Sequence, residues 1–409
     1  MKKQFALSAA LLAITASPLV ASAQDSASPA QEAEEGSDTL FGDFGGARKR
    51  LAENGVTIES ILTYDSISNV HGGLKRQTAA LGNYDLTASF DLEKLGGPAG
   101  GTVFLYALGN TGEAPQDNVG DTQASDNIQT DESFKLYEAW YEQSFADDRW
   151  SVLAGLHDFN SEFQTLEFAG NLINSSFGIS VDVSQVGPSI FATTSLATRV
   201  RYRAESGMYA QGALYDGVPG DPNNPRGTHI DLRTDDGLFY ALEAGFVGPE
   251  GPSYSKAALG GWWHTAEFED FQGNVRDENG GAYFIAEKRL TAEEDENQGL
   301  GAFLQVGFAS PSRNQIGSYF GGGLQYVGPI PSRDEDAVSF GVAHARNSGD
   351  FVDTSEEFSR AETAIELNYK ASIVPWFALT GDIQYIVDPG TVDGVENATV
   401  LGIRAEVAM

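Results

Sequence analysis

The strongest constraint on this chain is an alternation of side chains that repeats three times in succession up to its last residues. Between Trp376 and Val387, one face carries Phe377, Leu379, Gly381, Ile383, Tyr385 and Val387, and the other Ala378, Thr380, Asp382 and Gln384. Successive strand side chains point to opposite sides, so this period describes a ribbon with one apolar and one polar wall. The segment before it sets Ile365, Leu367, Tyr369 and Ala371 against Ala364, Glu366, Asn368 and Lys370. The final segment sets Leu401, Ile403, Ala405 and Val407 against Gly402, Arg404 and Glu406. One such strand suits a soluble sandwich equally well. Three in a row, with aromatic residues near their ends, are more the manner of a membrane barrel.

The same pattern, traced back, predicts sixteen strands at 56–66, 79–92, 101–110, 133–145, 150–159, 196–205, 207–216, 237–248, 254–265, 281–290, 299–308, 317–327, 336–345, 360–371, 376–387 and 398–408. Their connections alternate in length, with short ones such as 146–149 and 372–375, and long ones at 111–132, 160–195 and 217–236. An up-and-down barrel of the outer membrane has that parity, from short periplasmic turns and longer external loops. A sheet edge left open in hydrocarbon strands backbone groups at several kcal/mol each, so the ladder must close. The expected fold is therefore all-β: a 16-stranded antiparallel transmembrane β-barrel with a short N-terminal helix. Sixteen strands enclose an aqueous channel, and the inward polar faces line it.

Residues 1–23 read as a secretory signal, with Lys2 and Lys3, an apolar run from Phe5 to Val20, and the cleavage site Ala21-Ser22-Ala23. No later stretch is apolar for the length of a spanning helix. Residues 24–38 read as a disordered acidic linker, 39–55 as a short periplasmic or plug helix, and 56–409 as the barrel. Within 39–55, Ala47 to Glu53 suits a helix that stops at Asn54-Gly55. The formal charge is −33, and the signal holds two lysines and no acid, so the mature chain is more acidic still. That balance argues against nucleic acid and against docking on anionic lipid, both of which need clustered cations. There is no cysteine, which removes disulfides and thiolate metal sites. Only 41% of residues are apolar, a lean figure that a barrel explains because only half of each strand meets lipid.

Four stretches resemble the carbohydrate-selective porins of the OprB family. They are Gly42-Asp43-Phe44-Gly45-Gly46-Ala47-Arg48 with Leu51 and Gly55; Leu136-Tyr137-Glu138-Ala139-Trp140-Tyr141-Glu142-Gln143; Ala154-Gly155-Leu156-His157-Asp158-Phe159-Asn160; and Gly381-Asp382-Ile383-Gln384-Tyr385-Ile386-Val387-Asp388-Pro389-Gly390. The resemblance covers nearly the whole mature chain. It implies an outer-membrane porin of a Gram-negative bacterium, in contact with lipid, that lets small carbohydrates diffuse through a channel narrowed by inward-folded external loops. It also implies delivery by the outer-membrane assembly machinery. Family members usually carry Trp, Pro, Asn and a final Phe where this chain has Phe44, Gly381, Asp388 and Met409, and the last of these is expected to weaken the assembly signal. A general small-solute porin with weak cation preference is the alternative, and an outer-membrane hydrolase a more distant one. Lipid-facing and subunit-facing apolar surfaces read alike, so a monomer and a homotrimer both fit.

Arg199, Arg201 and Arg203 share one face of segment 196–205, and each would cost about 2–4 kcal/mol facing lipid near the midplane. They are expected in the lumen, either contacting sugar hydroxyls or pairing with acids of an inward loop. Glu138, Trp140 and Glu142 share a face where carboxylates and a ring suit a sugar's hydroxyl rim and C–H face, or where a girdle tryptophan sits between solvated acids. His157 reads better as a loop anchor than as a bare wall residue. Asp382 and Gln384 lie on the polar, pore-lining face. Loop 160–195 holds Phe163, Leu166, Phe168, Leu172, Ile173 and Phe177, too many apolar residues for a loop in water, and is expected inside the barrel as the constriction. Asp121 to Glu132 reads as a solvated charge run in preference to a calcium site. No H-E-x-x-H, G-x-S-x-G or phosphate-loop pattern occurs, and passive diffusion requires no catalytic residue, metal or cofactor.

Overall fold

The computed structural model describes residues 38–293, 298–355 and 357–409, so the signal segment and nearly all of the expected linker lie outside it. Among the described residues, sixteen strands pair in chain order into one closed barrel, and each neighbouring pair is antiparallel. A separate two-stranded hairpin, Phe268–Glu269 with Val275–Arg276, decorates one long loop. Each expected strand has its counterpart. The largest boundary difference is in the first, which runs Val56–His71. Past residue 65 its outward positions are Ser66 and Ser68 and its inward ones Ile67 and Asn69, so the polarity pattern inverts while the ladder continues.

The barrel closes where Val56–His71 meets Ala398–Ala408. Asp65 lies directly opposite Arg404 at this seam, and the guanidinium donates to both carboxylate oxygens, Nε at 2.9 Å and Nη2 at 2.6 Å. Such a bidentate charge-assisted pair fixes register as well as contributing energy. The helix Ala47–Glu53 forms as expected. It stands at the short-turn rim, where Arg48 donates to the Met409 carbonyl and the Leu40 amide to the Ala408 carbonyl at 2.8 Å, and none of its residues is buried.

The two walls differ as the alternation requires. Leu242, Leu259 and Ile403 point outward and are 68%, 65% and 61% exposed, which for this barrel means exposed to lipid. On strand Phe377–Val387, Thr380, Asp382 and Gln384 turn inward and are buried, while Leu379, Ile383 and Tyr385 face out. Trp150 against Tyr202, with ring centroids 4.8 Å apart, and Phe145 mark an aromatic girdle at the short-turn end.

The inner wall departs from the uniformly polar lining expected. Tyr215, Phe239, Trp262 and Tyr283 all point inward and are buried, forming an apolar seat. Loop Phe159 and Phe163 stack on each other at 5.0 Å, and Phe159 meets Phe239 edge-on at 5.5 Å. An inserted loop needs a core of its own, and this wall supplies it. Glycines on neighbouring strands cut notches for it. A Cβ on Gly301 would lie 2.3 Å from the Phe168 ring, and one on Gly341 would lie 2.6 Å from that of Phe177.

Candidate functional site

The short strand Trp150–His157 ends where the chain turns into the lumen, and it returns to the wall at Ser195–Arg203. The intervening loop lies within the barrel as expected, and wall carboxylates grip its backbone at successive points. Glu243 accepts the Gln164 amide at 3.0 Å. Glu287 accepts those of Glu167 and Phe168 at 2.8 and 3.0 Å, and Glu366 those of Ile173 and Asn174 at 2.5 and 2.9 Å. Further along, Gln305 donates to the Phe177 carbonyl at 2.7 Å and Tyr319 to that of Ser176 at 2.6 Å. These clamps satisfy backbone groups that an inserted loop would otherwise bury unpaired.

The predicted basic ladder faces inward throughout, and the loop completes it with a residue the sequence reading did not single out, Glu162. Arg199 donates to Glu162 through Nε and Nη2, both at 2.6 Å, to Glu142 at 2.8 Å and to Ser151 at 2.6 Å. Arg201 spans the same two carboxylates, at 2.7 Å to Glu162 and 3.1 Å to Glu142. The two guanidiniums and two carboxylates form a quartet of zero net charge. Arg199 is fully buried in it, whereas Arg201 keeps part of its surface open and Arg203 is exposed with no ion pair among the described residues. Burial alone would raise the Glu162 carboxyl, but the Arg201 and Arg199 charges outweigh it and hold the group at about 2.

The remaining predicted residues fall into two groups. Trp140 stacks on Phe104 at 4.9 Å, donates to Glu138 at 2.9 Å and is only half-buried, so a ring and carboxylates do meet on this wall. Glu138 itself is covered, accepting the Asp158 amide at 3.3 Å. His157 is buried with Nδ1 2.9 Å from the Tyr215 hydroxyl and Nε2 3.8 Å from Glu162, at the root of the loop. Asp382 and Gln384 face inward beneath two loops: Gln384 donates to the Ser125 carbonyl at 2.8 Å and accepts from Asn174 at 3.2 Å. Deeper in the long loop, Asp182 is buried, and burial pushes its carboxyl up to about 7 against the opposing pull of Ser180.

The second inward loop, 113–132, corrects the expectation of a solvated charge run. Asp121, Gln123, Ser125, Asp126 and Asn127 are all buried against the wall. The reason is a fourth carboxylate clamp: Glu362 accepts the amides of Thr122, Gln123 and Gly390 at 2.7, 2.9 and 2.6 Å. No group of three or more His, Asp or Glu side chains arranged to hold a metal occurs among the described residues.

A closed sixteen-strand barrel with an apolar outer belt and a polar lumen narrowed by an inserted loop defines an outer-membrane diffusion porin. The chain belongs to the carbohydrate-selective porin, OprB family, whose profile matches residues 75–409. It is a sugar channel of the Gram-negative outer membrane. Porin B of Pseudomonas aeruginosa is 25% identical over 90% of each chain. A putative porin, QuiX, of Acinetobacter baylyi is 24% identical over 89% of this chain and 91% of its own. In fold, the chain is similar to a high-pH structure of OprB from Pseudomonas putida, with a TM-score of 0.83, 22% identity, and coverage of 92% of this chain and 99% of that one.

Proposed function

We propose that the quartet of Arg199, Arg201, Glu142 and Glu162, with Arg203 and the Trp140–Phe104 wall beside it, is the eyelet that selects small sugars. The observation that carries this reading is Glu162, which brings the constriction loop onto the wall between two arginines. Planar guanidinium donors and carboxylate acceptors match the mixed donors and acceptors of a sugar's hydroxyl rim. The adjacent rings offer an apolar face to its C–H side. A neutral quartet holds these groups in place while presenting little net field to an uncharged solute. Arg199 serves the scaffold, and Arg201 and Arg203 are the arginines within a solute's reach. Liposome swelling tests this: R201Q with R203Q should slow glucose entry relative to an uncharged polyol of similar size. Equal slowing of both solutes would remove the sugar-contact role.

The same reading takes the protein as a channel without a catalytic centre. Ser161 approaches His157 at 3.4 Å, but its hydroxyl donates to the Asp158 carbonyl at 2.7 Å, and His157 is held by a tyrosine where a hydrolytic triad would use a carboxylate. Insertion by the outer-membrane assembly machinery follows from an exported barrel that must close in lipid. The outward apolar face suits either lipid or further copies. Crosslinking in intact membranes distinguishes a single barrel from a homotrimer.

A further inference from the structure

Alternation sorts the outer wall as well as the inner one, and on strand Ala337–Asn347 it leaves a cation outside. Ser339, Gly341, Ala343 and Ala345 turn inward and are buried, so Val338, Phe340, Val342, His344 and Arg346 face out. Arg346 is exposed, and among the described residues it has no ion pair and no side-chain hydrogen bond. The residues registered against His344 and Arg346 on the flanking strands are Phe320, Ser318, Thr363 and Ala361, none of them acidic. The His344 Nδ1 lies 2.8 Å from the Thr363 Oγ1, and its other ring nitrogen has no protein partner. Arg360, just before the next strand, is exposed, and its carbonyl accepts the Asn347 amide at 2.9 Å. Asp350, Asp353 and Glu357 of the adjoining loop form no ion pair with either arginine.

The height of this group identifies what it meets. Ala361 begins the strand that ends at Val374 beside a short turn, so Arg346, registered against Ala361, stands at the external rim. Tyr326, opposite Val338, marks the periplasmic girdle. At about 3.3 Å per residue and a tilt of about 40°, Arg346 stands roughly 20 Å above Val338, against a lipid band about 25 Å tall. The guanidinium is therefore level with the headgroups of the external leaflet. The exposed rings of Phe320 and Phe340 lie toward the midplane from it.

We propose that Arg346, with His344 and Arg360 beside it, binds a phosphate of lipopolysaccharide, the phosphorylated glycolipid of the external leaflet. A guanidinium offers paired N–H donors that match phosphate oxygens, and here the protein supplies it with no acid of its own. The apolar wall below continues the lipid belt and suits the acyl chains of the same molecule. The acidic chain disfavours anionic surfaces in general. This rim is a local exception, because the outward positions around Arg346 hold no carboxylate.

The test uses the full barrel refolded in detergent without lipopolysaccharide and titrated with deep-rough lipopolysaccharide, the retained glycolipid being counted by native mass spectrometry. Wild type should retain it, and R346Q should weaken binding about tenfold, the worth of one charge-assisted contact. Wild type should hold the dephosphorylated glycolipid no better than R346Q holds the intact one. Equal affinity of wild type and R346Q, or equal binding of the intact and dephosphorylated forms, overturns the proposal. So does an R346Q barrel whose crosslinking to further copies changes while its glycolipid binding does not, since the rim would then be a contact between chains. The dephosphorylated arm needs no variant, and it decides the matter if R346Q does not refold.

Discussion

Replacing Glu162 by glutamine separates two jobs that the quartet performs at once, holding the loop and setting the local charge. In the folded barrel the Glu162 carboxyl stands at about 2 against an ordinary 4.5. A difference of that size corresponds to about 3 kcal/mol favouring the ionised, paired form. The group's pKa is depressed on folding, so this stabilisation is present above 4.5 and disappears as pH falls toward about 2. Against it stand five backbone amides that Glu243, Glu287 and Glu366 hold independently. At about 1.5–3 kcal/mol for each bond to a charged group, these amount to roughly 7–15 kcal/mol, so the clamps outweigh the lost pair. The loop in E162Q should therefore stay docked, and single-channel conductance should change little. The quartet, however, passes from neutral to one net positive charge, with Arg203 beside it. Reversal potentials in a potassium chloride gradient should move toward anion preference at 0.1 M, where the screening length is about 10 Å, and the shift should fade at 1 M, where it is about 3 Å. An unchanged reversal potential at low salt would show that the quartet lies off the permeation path. A large rise in conductance would show that Glu162, and not the wall carboxylates, holds the loop.

Two further perturbations test the seating of the loop. The Asp182 carboxyl is raised on docking from 3.8 to about 7, so its contribution is complete below 3.8 and declines as pH rises to about 7, a change of about 4 kcal/mol. Hydrogen exchange within loop 160–195 should speed up over that interval in wild type and much less in D182N; identical profiles would refute the assignment. G301A places a methyl group within 2.3–2.5 Å of three Phe168 ring atoms, overpacking worth about 1–3 kcal/mol. Its loop should show faster proteolysis and noisier open-channel current, and a barrel identical to wild type in both would show that the notch is idle.

The barrel was legible because lipid imposes a rule on every strand: outward positions such as Leu379 and Ile383 must be apolar whatever lies inside. Where that rule relaxes, near Ser66 and Ser68, the sequence reading lost the strand. The inner surface obeys no comparable rule. Asp382 and Gln384 read as pore lining because they are polar and inward, yet the loop partners of Gln384, the Ser125 carbonyl and Asn174, lie over 200 residues away and leave no local trace. The same holds for Glu243, Glu287, Glu362 and Glu366. Their inward orientation follows from alternation, but the loop amides they hold do not. The apolar loop 160–195 did announce its burial through composition. The polar loop 113–132 did not, because its burial depends on a carboxylate clamp, not on apolar area.

The central claim, that a loop-narrowed eyelet passes sugars, is tested most directly by single-channel current through the wild-type barrel while glucose is added on one side. The account predicts a stepwise, saturable reduction of ion current as sugar enters the narrow section, with the current restored when the sugar is removed. An open current that falls only in proportion to bulk solution conductivity, at every glucose concentration, would contradict it.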